Sequence, residues 1–250
     1  MPIDDSQLKL GKHPPRQDIR TLLFAKYVLP ELLPTPPVSA SWSAKVPDWK
    51  MLGNDVLGDC TCAAAGHMIE CWTANAGTEK VPTDASIIAA YSAITGYDPH
   101  TGANDNGAVC LDVLNFWRKK GIAGSQISAY AALQPGNHDH VRQSLYLFGG
   151  VYLGLSLPLS AQTQKVWAVV KGPRGRAGSW GGHAVPVVAY DAKGLTVVTW
   201  GMLKTMTWQF FSLYCDEAYA LLSNDWLNAG KSPAGFDLAA LQQDLHRVAA

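Results

Sequence analysis

Residues 58–76 read GDCTCAAAGHMIECWTANA and residues 178–190 read GSWGGHAVPVVAY. The first stretch is rich in alanine, carries apolar residues at helical spacing and has no internal proline, which predicts a helix beginning close to Cys60. Gly77 is placed to stop it. A cysteine at a helix N-terminus sits near unpaired backbone N–H groups and the positive end of the helix dipole, so its thiolate is favoured and it becomes a candidate nucleophile. Asp59 tempers this, because its carboxylate opposes a thiolate if it points inward and serves as a cap if it turns back on the helix. The competing reading of Cys60 is a buried structural thiol, a common fate for free cysteine.

A thiol nucleophile needs a base, and the chain has seven histidines. His67 follows Cys60 by seven residues on the same helix, about 10.5 Å along the axis, too far for a direct hydrogen bond. His138 and His140 fall in a Pro-Gly-Asn loop, and His13, His100 and His246 in polar or terminal segments that read as solvated surface. His183 differs: a glycine run feeds it into the apolar strand AVPVVAY, where the backbone lets another element approach closely.

Outward from these two stretches, the first half of the chain reads as helical and the second as strand. Helical runs are expected at 87–95 and 109–120, separated by the loop TGYDPHTGANDNGA. Strands are expected at 146–157, 184–190 and 195–200, with a hairpin turn at 191–194 and a further strand at 207–211. This pattern predicts an α+β protein of two lobes. Residues 1–40 hold seven prolines, six of them from Pro14 to Pro37, and one amphipathic run, 18–29, with the pattern of a short helix; they read as an extension strapped across the domain, either an ordinary arm or a regulatory or inhibitory segment. The expected division is 1–40 extension and 41–250 main domain, the latter with a helical lobe at 41–135, a β lobe at 136–225 and a helical tail at 226–250.

Composition narrows the function. Twenty Lys and Arg balance twenty Asp and Glu, so there is no whole-molecule field to draw nucleic acid or anionic lipid. The longest apolar stretch, 145–159, is too short and too interrupted to span a membrane. Five cysteines and an N-terminus without the apolar core of a secretory signal fit reduced thiols in the cytoplasm, with export by another route left open. Cys60, Cys62 and His67 offer too few ligands at zinc spacing, so neither metal nor cofactor is expected. Trp72, Trp117, Trp167 and Trp208 read as core, and the basic run 171–176 as a solvated loop with a cleft lip as the alternative.

With their flanks, Cys60 and His183 resemble the papain-like cysteine peptidases. Asn54 stands six residues before Cys60, where that family has an oxyanion-donating glutamine. Asn106-Gly107-Ala108 and the helix running to Lys120-Gly121-Ile122 are similar to its Asn-Gly-Gly loop and following helix. Phe148 to Leu155 is similar to the strand before its histidine, and His183-Ala184-Val185 with Ala189-Tyr190-Asp191 to its His-Ala-Val strand and Gly-Tyr hairpin. The resemblance spans roughly Trp42 to Trp208. It implies a helical left lobe carrying Cys60, an antiparallel β right lobe carrying His183, and a cleft between them in which a peptide or other amide is attacked.

The departures are as specific as the matches. The family's Asn-Ser-Trp-Gly appears here as Val198-Thr199-Trp200-Gly201, so only the Thr199 hydroxyl is available to orient the imidazole, a weaker device than an amide. Leu57 replaces the first left-lobe disulfide cysteine, and a propeptide of the usual length has no room before Cys60. Three functions therefore stand after this reading: a cysteine hydrolase using Cys60, His183, Asn54 and Thr199; a papain-like scaffold kept for binding; and a cell-wall amidase of the NlpC/P60 type, suggested by Asp59-Cys60-Thr61. The oligomeric state is left open.

Overall fold

The computed structural model describes residues 8–26, 34–227 and 231–233. The expected C-terminal helix, 226–250, falls almost entirely outside them.

Helix α1, Cys60–Ala76, forms where the alanine run predicts it and ends on Gly77, whose left-handed φ of 97° lets its N–H close on Thr73 O. Its residues from Cys60 to Asn75 are all buried, the polar His67, Glu70 and Asn75 among them. Around it pack α2, Asp84–Thr95, opened by a reciprocal Thr83–Ser86 capping box, and α3, Cys110–Lys120, which ends in three basic residues and Gly121. Trp72 of α1 stacks on Trp117 of α3 with ring centroids 5.5 Å apart, anchoring this lobe's core.

The other lobe is built on one sheet whose described strands run β1-β3-β9-β4-β6-β7-β8-β5, with β2 also against β6. They are β1, Leu22–Leu23; β2, Ala40–Ser41; β3, Ile127–Ala132; β4, Val151–Leu157; β5, Val166–Trp167; β6, Gly181–Tyr190; β7, Gly194–Thr199; β8, Met202–Thr207; and β9, Cys215–Ser223. All pairings are antiparallel except the edges β1–β3 and β5–β8. Two further helices, α4 at His138–Phe148 and α5 at Trp208–Tyr214, cover this lobe. The architecture is the expected α+β, with a helical lobe and a largely antiparallel β lobe meeting across a cleft.

Three local expectations are corrected. Tyr146–Phe148 finish α4 rather than begin a strand, which moves His138 and His140 from a loop into the first turn of a helix capped by Asn137. Thr207–Phe211 is not a strand: Thr207 caps α5 by accepting from Phe210 N, and Phe210, Phe211 and Tyr214 then share a buried face. In the N-terminal run, Leu22–Leu23 is a short strand followed by a single 3-10 turn, Phe24–Lys26, where a helix is expected; residues 27–33 lie outside the described chain. All five cysteines are unpaired and buried. Among the described residues no helix is long and apolar enough to cross a membrane.

Candidate active site

Cys60 is the first residue of α1, so it takes its place from the helix start, and a polar network fixes the loop before it. Asp105 accepts from Gly58 N at 2.9 Å and from the Tyr91 hydroxyl at 2.8 Å, and that hydroxyl accepts from Gly107 N at 2.8 Å. The loop carrying the nucleophile candidate is thereby tied to the Asn106-Gly107-Ala108 loop. Asn54 is buried, with one amide N–H donated to Leu57 O at 3.0 Å.

His183 is the third residue of β6, opposite Leu155 of β4. Its Nε2 lies 2.7 Å from Thr199 Oγ1, at the end of β7, and its Nδ1 is buried with no partner among the described residues. Trp200 stacks on the ring, 4.3 Å between centroids and 14° from parallel. The stack is set by the turn between β7 and β8. Thr199 pairs with Met202 across two residues, Trp200 at φ 46° and Gly201 at φ 68°, and a two-residue hairpin of this kind needs positive φ at both. Tryptophan seldom adopts that conformation, and here it swings the indole over the imidazole. Helix α1 packs against β6, which brings the cysteine-led helix and the histidine strand together, and the backbone of Ala184, the residue after His183, favours the Cys60 thiolate.

The site is electrically quiet. Burial pushes the Cys60 thiol up to about 12, against the pull of the Ala184 backbone, and Asp59 adds to the rise. Burial, helped by His67, brings His183 down to about 3. Asp59 is fully buried at the helix start without making a side-chain cap. Burial raises it to about 8 although the Asn54 amide favours its charge, so near neutral pH it is mainly the uncharged acid. His67 does not act as the base: its Nε2 lies 2.6 Å from Lys50 O.

Sequence reasoning missed what fills the cleft. Leu8 to His13 threads between the lobes and hydrogen bonds to both. On the helical side His13 N donates to Ala108 O at 2.9 Å and Ala108 N to Gly11 O at 2.8 Å. On the β side Gly11 N and Lys12 N both donate to Gly182 O, at 3.3 and 3.0 Å, and Trp200 Nε1 donates to Lys9 O at 3.0 Å. Glycine is required on both faces of this path: a Cβ on Gly11 would lie 1.8 Å from Gly58 O, and one on Gly182 would lie 2.1 Å from Lys12 O. The Gly11 backbone lowers the Cys60 thiol pKa against the larger effect of burial. His13 is part of this contact, its Nε2 2.6 Å from Asn106 O, and not the solvated terminal histidine the sequence suggests.

Lys12 is buried in the strap. Its Nζ lies 3.1 Å from both Asp216 Oδ2 and Glu217 Oε1, and it donates to His13 O at 2.9 Å. The adjacent acids Asp216 and Glu217, inside the otherwise apolar CDEAYALLS of β9, were the sequence signal for this pocket.

A fold in which a cysteine-led helix faces a β lobe bearing a histidine beside a Trp-Gly turn is that of the papain-like cysteine proteases. Xylellain, a cysteine protease from Xylella fastidiosa, is similar over 86% of this chain and 96% of its own, with a TM-score of 0.68 at 16% identity. Procathepsin L2 from the larval midgut of Tenebrio molitor is similar over 89% of this chain and 80% of its own (TM-score 0.60, 13% identity). For procathepsin B S9 from Trypanosoma congolense the coverage is 89% of each chain (TM-score 0.58, 12% identity). No family model matches the chain, and no curated protein matches it by sequence. The likeness is therefore one of fold.

Proposed function

We propose that the chain is a latent cysteine hydrolase of peptide or other amide bonds, silenced by its own N-terminal strap. Once the strap leaves and water and substrate enter, His183 Nδ1 takes the Cys60 thiol proton and the thiolate attacks the carbonyl carbon. Asn54 and the Cys60 N–H stabilise the oxyanion. The imidazolium returns its proton to the leaving amine, and water then releases the acyl group from sulfur by the same proton route. Thr199 keeps the ring turned so that Nδ1 remains the reacting nitrogen, and Trp200 shields the pair. Two of the similar structures are named as procathepsins, which accords with a chain whose cleft is occupied by its own residues.

The observation that carries this reading is His183: a buried imidazole with Nε2 held by Thr199, one face covered by Trp200 and Nδ1 left unpartnered in the strand that meets Cys60. Turnover of a peptide by the chain carrying Lys12→Glu, abolished by adding Cys60→Ala, is the expected result. Labelling of Cys60 by a thiol-directed epoxide no faster than that of Cys71 or Cys110, and indifferent to His183→Ala, would sink it.

A second reading, a papain-like scaffold kept for binding, is favoured by Thr199 standing where an orienting amide is expected. Thr199→Asn separates the two: a gain in turnover marks an assembled but weakened catalyst, and no turnover in either form marks a binding scaffold.

A further inference from the structure

Lys12 enters a pocket that is organised independently of it. Ser156 of β4 donates to Asp216 Oδ2 at 2.7 Å and the Tyr219 hydroxyl of β9 to Glu217 Oε2 at 2.8 Å, so both carboxylates are oriented by the sheet itself. Gly154 of β4 forms the wall: a Cβ there would lie 2.7 Å from Lys12 Cε and 2.5 Å from Glu217 Cγ. With the strap in place the Lys12 side chain is only 1% exposed and its ammonium meets three oxygens. Its N–H groups donate to Asp216 Oδ2 and His13 O, and Glu217 adds a second opposite charge at 3.1 Å. With the strap gone, two adjacent carboxylates would face the cleft without that cation, and burying unpaired charge is costly.

We infer that the pocket formed by Gly154, Ser156, Asp216 and Glu217 is a specificity pocket for the lysine side chain of an extended peptide, and that the strap holds the cleft by presenting Lys12 to it. The inference rests on the hydrolase reading for its consequence in turnover, but not for its binding chemistry. Lysine is preferred to norleucine because of the ion pairs.

The test separates binding from catalysis. A fluorescent hexapeptide of sequence Leu-Lys-Leu-Gly-Lys-His, matching residues 8–13, is titrated into the full chain carrying Lys12→Glu and Cys60→Ala. Replacing the second lysine of the peptide by norleucine is expected to weaken binding about tenfold or more. That difference is expected to shrink in Asp216→Asn, whose side chain is 22% exposed and tolerates the change, and to vanish when Glu217→Gln is added. Equal binding of the two peptides, or a difference untouched by Asp216→Asn, overturns the inference. In the second arm, Lys12→Glu with Cys60 intact is given peptides in which a single lysine is walked through each position. Preference for lysine at one position supports the pocket, and turnover indifferent to lysine overturns it as a substrate pocket. Lysine-selective binding with no turnover of any peptide supports the pocket and counts against the hydrolase reading alone.

Discussion

The two ends of the cleft treat charge in opposite ways. At the Asp216–Glu217 end a cation and two carboxylates are buried together, each held by further hydrogen bonds. At the Cys60–His183 end burial suppresses charge instead, lifting the thiol to about 12 and lowering the imidazole to about 3. One strap of six residues runs along both ends: Lys12 supplies the cation at one, and at the other Gly11 and Lys12 pair with Gly182, next to His183, while Gly11 O accepts from Ala108 N. On the proposed reading, binding energy spent at the charged end keeps the Cys60–His183 end closed and neutral, and the two ends are separable by substitution.

The largest expected effect comes from breaking the charged end. Lys12→Glu puts a third carboxylate into the pocket, and disrupting a buried pair costs about 3–5 kcal/mol. The open population, and with it the rate of Cys60 alkylation, should rise by about a hundredfold or more. Alkylation followed by peptide mapping checks this, with Cys71 and Cys110 as internal references. A smaller effect belongs to the reactive end: Thr199→Val in the opened chain should lower kcat about tenfold while leaving KM nearly unchanged, because it loosens the imidazole without touching substrate. A fall in KM-based affinity instead would place Thr199 in binding.

The smallest effect is on stability and tests whether the neutral end is neutral for the stated reason. Asp59 and Glu70 are raised by burial to about 8, so between the ordinary carboxyl pKa and about 8 the folded chain holds protons that the unfolded chain has lost. Each contributes stability at low pH that is lost as pH rises, by about 1 kcal/mol per pH unit. His67 and His183, lowered to about 4 and 3, act in the opposite sense: their stability is lost as pH falls below about 6.5. The slopes oppose one another between about pH 4 and 6.5 and leave a decline above it. Asp59→Asn should flatten that decline in thermal unfolding curves; an unchanged slope would mean that Asp59 is ionised in the fold.

What was legible in the sequence was local. The alanine run and Gly77 define α1, and a glycine run feeding an apolar strand marks His183, because each depends on neighbours in the chain. Helix and strand were confused at 207–211, where five residues with three aromatics fit either period and the Thr207 cap decides the outcome. The strap was legible as a proline-rich extension but not as the occupant of the cleft, since its partners Ala108 and Gly182 lie about 95 and 170 residues away and nothing local encodes that pairing. The pocket left a trace that went unread, two adjacent acids inside an apolar strand.

The central claim is that Cys60 and His183 form a reactive pair that the strap keeps neutral. The most direct test is the pH profile of Cys60 alkylation in the full chain and in Lys12→Glu. The account predicts a thiol silent through neutral pH in the full chain, and in Lys12→Glu one that reacts below pH 7 through an inflection lost on adding His183→Ala. The same late, His183-independent rise in both chains would contradict it.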